Sequence, residues 1–249
     1  MKYFFANWKM YLDLNESVRE AKTLCQEVRS QTDLKMAVFP STLAFFSVEM
    51  ILRQTVIAVG AQNVFSTPKG AYTGAVSANL FAEAGAKYAL VGHSERRHIF
   101  AETDEDVHKK FLACLSTGIT PILCIGETKD DAQSGKRQYR LKKQLLTAIQ
   151  DIDLSGKSFF IAYEPVWAIG TNKPCSPSDV EDVHGWLRLE LQQYTLETVP
   201  ILYGGSVDAK NVRSFVYLSC VDGVLVGSAS IHAKDFLALV DAITSASET

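Results

Sequence analysis

Three residues of this chain pair acid–base or electrostatic chemistry with a shared kind of position. Lys9, His93 and Glu164 each stand where an apolar run of strand length gives way to polar sequence. Phe4-Phe5-Ala6-Asn7-Trp8-Lys9 ends the first run, Tyr88-Ala89-Leu90-Val91-Gly92-His93 the fourth, and Phe159-Phe160-Ile161-Ala162-Tyr163-Glu164 the sixth. A carboxylate, an imidazole and an ammonium gathered in one mouth can take a proton from carbon, stabilise the anion left behind and return the proton, without a metal or organic cofactor. Glu164 is the candidate base, and Pro165 after it favours an extended backbone that holds the carboxylate at the strand end. His93 precedes Ser94-Glu95-Arg96-Arg97, the start of a short helix. The positive end of that helix disfavours the imidazolium and leaves a neutral hydrogen-bond donor. Lys9 supplies local positive charge, and Asn7, two residues earlier on an extended strand, falls on the same side to orient it or bond a substrate.

These residues meet only if the chain brings strand ends together. Short apolar runs alternate eight times with longer stretches: Tyr3 to Asn7, Met36 to Phe39, Ala58 to Ala61, Ala89 to Gly92, Thr120 to Ile125, Phe159 to Glu164, Pro200 to Tyr203 and Gly223 to Val226. Near-continuous apolar strands are buried on both faces, as in a parallel sheet wrapped by helices. Helical spacing, with charged residues on the polar faces, lies in Glu16 to Gln31, Asp104 to Thr117, Lys136 to Ile152 and Pro177 to Tyr194. Thr103 and Ser176, the latter followed by Pro177, are candidate helix starts. No linker or change of composition divides residues 1–249, so the expected architecture is one α/β domain, a (β/α)8 barrel whose strand carboxyl ends form a single face.

The composition narrows the function. The net charge of −3 gives no electrostatic footprint for nucleic acid, so an anionic ligand must be held by local donors. No apolar run approaches a bilayer span and no signal-peptide core follows Met1, which points to a cytoplasmic protein. Cys25, Cys114, Cys124, Cys175 and Cys220 are an odd number without a C-x-x-C pair, against a disulfide framework or a zinc site. Cys124, inside an apolar run, reads as buried and structural. Cys175, in a proline-flanked polar loop, is expected to be exposed and the first thiol to oxidise. His98, His108, His184 and His232 read as solvated or packing residues, not ligands.

Several segments together resemble one family. Asn7-Trp8-Lys9, Gly60-Ala61-Gln62-Asn63, Gly70-Ala71-Tyr72-Thr73-Gly74, Val91-Gly92-His93-Ser94-Glu95-Arg96-Arg97, Ala162-Tyr163-Glu164-Pro165-Val166-Trp167-Ala168-Ile169-Gly170-Thr171 and Tyr203-Gly204-Gly205-Ser206-Val207 are similar, in order, to the triosephosphate isomerases. The resemblance implies cofactor-free interconversion of glyceraldehyde 3-phosphate and dihydroxyacetone phosphate by a homodimer. It assigns phosphate binding to backbone donors around Gly170, Ser206, Gly227 and Ser228, an apolar wall to Leu225, and a closing lid to the segment between Pro165 and Pro177. It also sets Thr73 against the partner's Asn7 and the partner's Glu95. Another phosphosugar barrel enzyme, such as a Schiff-base aldolase, would need a lysine inside the barrel on a central strand, where this chain offers Glu164. A non-catalytic barrel is the remaining alternative, which the fold alone does not exclude.

The chain departs from the family pattern at three places. The lid reads Asn172-Lys173-Pro174-Cys175 where the family has glycine and then Lys-Thr-Ala, and Pro174 stiffens the lid's second hinge, so altered opening kinetics are expected. Ser228 replaces the second glycine after the eighth strand, and Ala75 replaces a glutamate that in the family reaches across the dimer toward the arginine matching Arg96. A dimer lacking one intersubunit ion pair is the expectation, since such pairs contribute little unless well desolvated.

Overall fold

The computed structural model describes residues 1–29, 33–170 and 174–245. Eight parallel strands pair in sequence order: β1 (Lys2–Asn7), β2 (Leu34–Phe39), β3 (Ile57–Ala61), β4 (Tyr88–Val91), β5 (Thr120–Ile125), β6 (Phe160–Tyr163), β7 (Ile201–Tyr203) and β8 (Gly223–Val226). β8 returns to pair with β1, closing the expected (β/α)8 barrel. The helices are α1 (Leu14–Glu27), α2 (Thr42–Leu52), α3 (Ala78–Glu83), α4 (Ser94–His98), α5 (Asp104–Thr117), α6 (Lys129–Gln133), α7 (Arg137–Ile149), α8 (Pro177–Leu191), α9 (Val212–Val216) and α10 (Ala233–Thr244). Single 3-10 turns lie at Val166–Ala168 and Ser228–Ser230.

The apolar runs form strands because both faces have something to bury against. In β1, Phe4 and Ala6 pack outward among the helices, while Phe5 packs toward the axis. The interior is filled by Phe5, Phe39, Leu90, Ile122, Phe160, Leu202 and Leu225 with the small residues Ala37, Cys124 and Ala162 between them. The barrel is therefore a packed core, and ligands are left its two ends.

Local signals set the helix starts. Thr103 and Asp106 form a reciprocal capping box at α5, and the Ser176 hydroxyl accepts from the Asp179 amide at α8, with Pro177 in the first turn. α1 begins at Leu14, not Glu16, because Asp13 and Glu16 make another capping box. Its helix ends at Glu27, with Val28 already extended, and Gln31 lies outside the described residues. α7 and α8 stop at Ile149 and Leu191, short of Ile152 and Tyr194.

Ala101 has φ of +54°, a left-handed conformation that a Cβ disfavours. Ala101→Gly is expected to raise stability by about 0.5–1 kcal/mol, the relieved strain less the extra backbone entropy of glycine. Urea unfolding of the two proteins checks this, and a midpoint lowered by the glycine would show that Ala101 carries no strain.

Candidate active site

The carboxyl ends of β1, β4 and β6 bring the three chemical residues together. Asn7 is the last residue of β1, and two residues on Lys9 adopts φ of +49°, so the chain turns instead of continuing extended. Asn7 therefore meets Lys9 by a hydrogen bond and not by strand alternation: the Lys9 amide donates to Asn7 Oδ1 at 3.0 Å. The turn is pinned by Gln62, whose side-chain amide donates to the carbonyls of Lys9 (2.7 Å) and Phe39 (2.8 Å). Backbone strain of this kind, held in place by neighbours, is typical of functional positions. Lys9 Nζ lies 2.7 Å from Glu95 Oε1.

His93 caps α4. Its Nδ1 accepts from the Glu95 amide at 3.3 Å, so that nitrogen carries no proton and the neutral ring has its N–H on Nε2. Nε2 faces inward, 3.3 Å from both Glu164 Oε1 and Asn7 Nδ2. Glu164 follows β6 and is 2% exposed. Its Oε2 accepts from the Ser94 amide at 2.9 Å, and its own amide donates to the Ile125 carbonyl at 2.8 Å. Two glycines make room for it: a Cβ on Gly126 would sit 1.8 Å from the Glu164 carbonyl oxygen, and one on Gly204 would sit 2.9 Å from Glu164 Cγ.

These side chains open into a cavity of about 310 Å³ also lined by Gly170, Ser206, Leu225, Gly227 and Ser228. Gly170 has φ of +67°, while Ser228 avoids the left-handed region, so the serine sits in the family's glycine position without backbone strain. Lys9 passes close to Gly227, where an added Cβ would meet Lys9 Cε at 3.3 Å. Glu95 reaches the site through Lys9. Thr73 and Arg96 lie outside the cavity: Thr73 is exposed on its loop, and Arg96 donates to Glu102 Oε2 at 2.6 Å and covers the Phe100 ring. Among the described residues no three His, Cys, Asp or Glu side chains group as a metal site would.

The sequence matches known proteins along nearly the whole chain. A family model for triosephosphate isomerase matches residues 2–243. The chain belongs to the triosephosphate isomerase family. The triosephosphate isomerase of Endomicrobium trichonymphae is 40% identical over 238 residues, 94% of this chain and 95% of that one. Those of Aquifex aeolicus (37%, covering 94% and 96%) and Chlamydia muridarum (38%, covering 97% and 92%) are similar over comparable spans. As a member of the triosephosphate isomerase family, the chain is an isomerase that interconverts glyceraldehyde 3-phosphate and dihydroxyacetone phosphate in glycolysis.

Some of the site's support has no signal in residue type. The Ser94 amide that holds Glu164 is a backbone group, and Tyr11, Asp208 and Asn211 join the cavity wall through loop geometry. Asn211 Nδ2 donates to the Ser206 carbonyl at 3.2 Å and so shapes the loop after β7. Both ends of the segment after Glu164 are tied down: Trp167 Nε1 donates to Glu127 Oε1 at 3.0 Å, and the Cys175 amide donates to the Tyr203 hydroxyl at 3.0 Å. Asn172 and Lys173 lie outside the described residues.

Cys175 corrects the expectation drawn from its loop. It is 2% exposed, and burial pushes its thiol up to about 12, so it is neither accessible nor ionised. Cys175 packs inward against the strand ends, its amide held by the Tyr203 hydroxyl. Cys124 is buried as expected, its thiol raised well above the usual range by desolvation and then by the neighbouring Glu164. Beside the carboxylate it remains a neutral thiol. Among the other histidines, His184 is fully buried in α8.

Proposed function

We propose that the isomerisation runs through an enediolate, with Glu164 as general base, His93 as neutral hydrogen-bond donor and Lys9 as electrostatic stabiliser. The single observation that carries this reading is the Glu164 carboxylate, buried at the cavity floor with Oε1 3.3 Å from His93 Nε2. Glu164 takes the proton from the carbon beside the carbonyl, and the His93 N–H bonds the oxygens as they share the negative charge. Lys9 attracts the phosphorylated substrate and offsets the same developing charge. Asn7 orients Lys9 through its own backbone bond and faces the His93 ring. The phosphate is received by the backbone amides around Gly170, Ser206, Gly227 and Ser228, with Leu225 as an apolar wall near the base. No organic cofactor or metal takes part.

The segment between Pro165 and Pro177 closes over the substrate as a lid, excluding water from the enediolate. The chain acts as a single barrel domain, in the cytoplasm, and pairs as a homodimer. Support for pairing comes from exposed apolar side chains, Met10, Ile99 and Phe100 close in sequence to Lys9 and His93 and Leu43 and Phe46 on α2, all costly to leave in water. Thr73, on its exposed loop, enters the partner's site. Arg96 keeps Glu102 within its own chain, so the loss of the glutamate at position 75 leaves no arginine unpaired.

Proton transfer through an enediolate predicts exchange with solvent. Converting dihydroxyacetone phosphate in deuterium oxide, with chelator and no added cofactor, is expected to give product carrying deuterium at the carbon that receives the proton. Complete retention of protium across many turnovers would mean either a hydride shift or a base proton that never meets solvent, and an undiminished rate for Glu164→Gln would then select the hydride shift and remove Glu164 from the role.

A further inference from the structure

The catalytic cavity occupies one end of the barrel, and a second cavity of about 320 Å³ opens at the other, where the strands begin. Its floor is aromatic. Phe160 stands edge-on to Tyr3 (centroids 4.8 Å apart, planes at 83°) and to Tyr88 (5.8 Å, 83°), and Phe5 closes the layer beneath at 4.8 Å from Tyr88. Its walls carry hydroxyls that the protein leaves unused. Those of Tyr3, Tyr88, Thr120 and Ser158 make no hydrogen bond among the described residues. Burial raises the pKa of both phenols, so they remain protonated donors. Its rim carries Lys35 and Lys157, neither in an ion pair among the described residues, against one acid, Glu197.

Lys35 explains why the rim is basic. It occupies an inward-facing position of β2, in register with Tyr3 and two residues before the interior Ala37. An inward charge at that depth can stay hydrated only by opening the barrel end to water. The floor is apolar, with the partly exposed Tyr3 and Tyr88 rings set edge-on over the nearly buried Phe160, and the groups above it are hydroxyls and two cations with one carboxylate, Glu197. This combination fits a planar ring bearing a carboxylate: the ring lies against the exposed parts of Tyr3 and Tyr88, and the anion takes the lysines and the hydroxyl protons.

We propose that the amino-terminal mouth of the barrel is a second ligand site, for a small aromatic carboxylate. It is separated from the catalytic residues by the packed interior layers, so its occupancy does not compete with triose phosphate. Nor does it rest on the roles assigned to Glu164, His93 and Lys9.

The test is calorimetric titration of the full-length protein with 1-naphthoate, with and without saturating inorganic phosphate in the catalytic cavity. The expected result is one site per chain, indifferent to phosphate, weakened at least about tenfold by Lys35→Glu combined with Lys157→Glu. 1-Naphthalenemethanol, which keeps the ring but lacks the charge, should bind comparably weakly to both proteins. Isomerase activity reports that the variant is folded, since neither lysine belongs to the catalytic end. Absence of saturable binding, displacement by phosphate, or affinity unchanged by the charge reversal would each overturn the site.

Discussion

Glu164→Gln is expected to lower kcat for glyceraldehyde 3-phosphate by about a hundred- to ten-thousand-fold, the usual contribution of a positioned general base, while KM changes little. Glutamine matches the shape of the side chain, and its carbonyl oxygen can still accept from the Ser94 amide that now holds Oε2. The variant therefore folds around the same cavity and loses only basicity. KM is spared because the carboxylate acts on a carbon-bound proton, an interaction realised in the transition state and not in the ground state. Its two nearest titratable neighbours do not replace it. His93 has its proton on the nitrogen that faces Glu164, and Cys124 next door is held as a neutral thiol by burial. A fall of less than about tenfold would be smaller than any positioned base provides, and would remove Glu164 from the role.

Much of this site was legible in the sequence because the feature that marks a strand also marks where it ends. β5 and β8 have the boundaries expected from their apolar runs, Thr120 to Ile125 and Gly223 to Val226, and the others differ by one or two residues. In a parallel barrel an apolar run that meets a polar residue has reached the mouth, so Asn7, His93 and Glu164 announced both an element and a site. Helices were less legible. α5 and α8 combine amphipathic spacing with side-chain caps, whereas α2 is apolar on all sides, with Leu43 and Phe46 exposed, and gives no contrast between faces.

What could not be read was backbone conformation imposed by the closed barrel. The left-handed Lys9 follows from hydrogen bonds to Gln62, more than fifty residues away, and no local propensity favours it. The inward turn of Cys175 is similar: its amide is claimed by Tyr203 at the end of β7, and a polar loop composition carries no trace of that partner. Ser94 contributes an N–H that every residue but proline possesses. Residue types located the chemistry, and the barrel's closure determined the hydrogen bonds that aim it.

Acid should weaken the fold through His184 before the carboxylates titrate. The ring is fully buried in α8, with Nδ1 3.4 Å from the Cys220 carbonyl, Nε2 without a partner and the Tyr163 ring 5.9 Å away. Burial lowers its pKa from 6.5 to about 3, with nearby Arg188 acting in the same direction and the Cys220 hydrogen bond opposing. The folded protein thus keeps the ring neutral where the unfolded chain protonates it. Stability from this group is present above the unfolded pKa and is lost as pH falls below it, until the folded ring also takes a proton. Linkage puts the loss at about 2 kcal/mol between about pH 7 and pH 5, a window above most carboxylate titrations. Urea unfolding at the two pH values and fixed protein concentration, for wild type and His184→Gln, measures it. The glutamine variant should be less stable at neutral pH, having lost a fitted ring, yet its stability should fall by about 2 kcal/mol less on acidification, since glutamine binds no proton. Equal losses in the two proteins would show that the buried ring is not where the acid sensitivity arises.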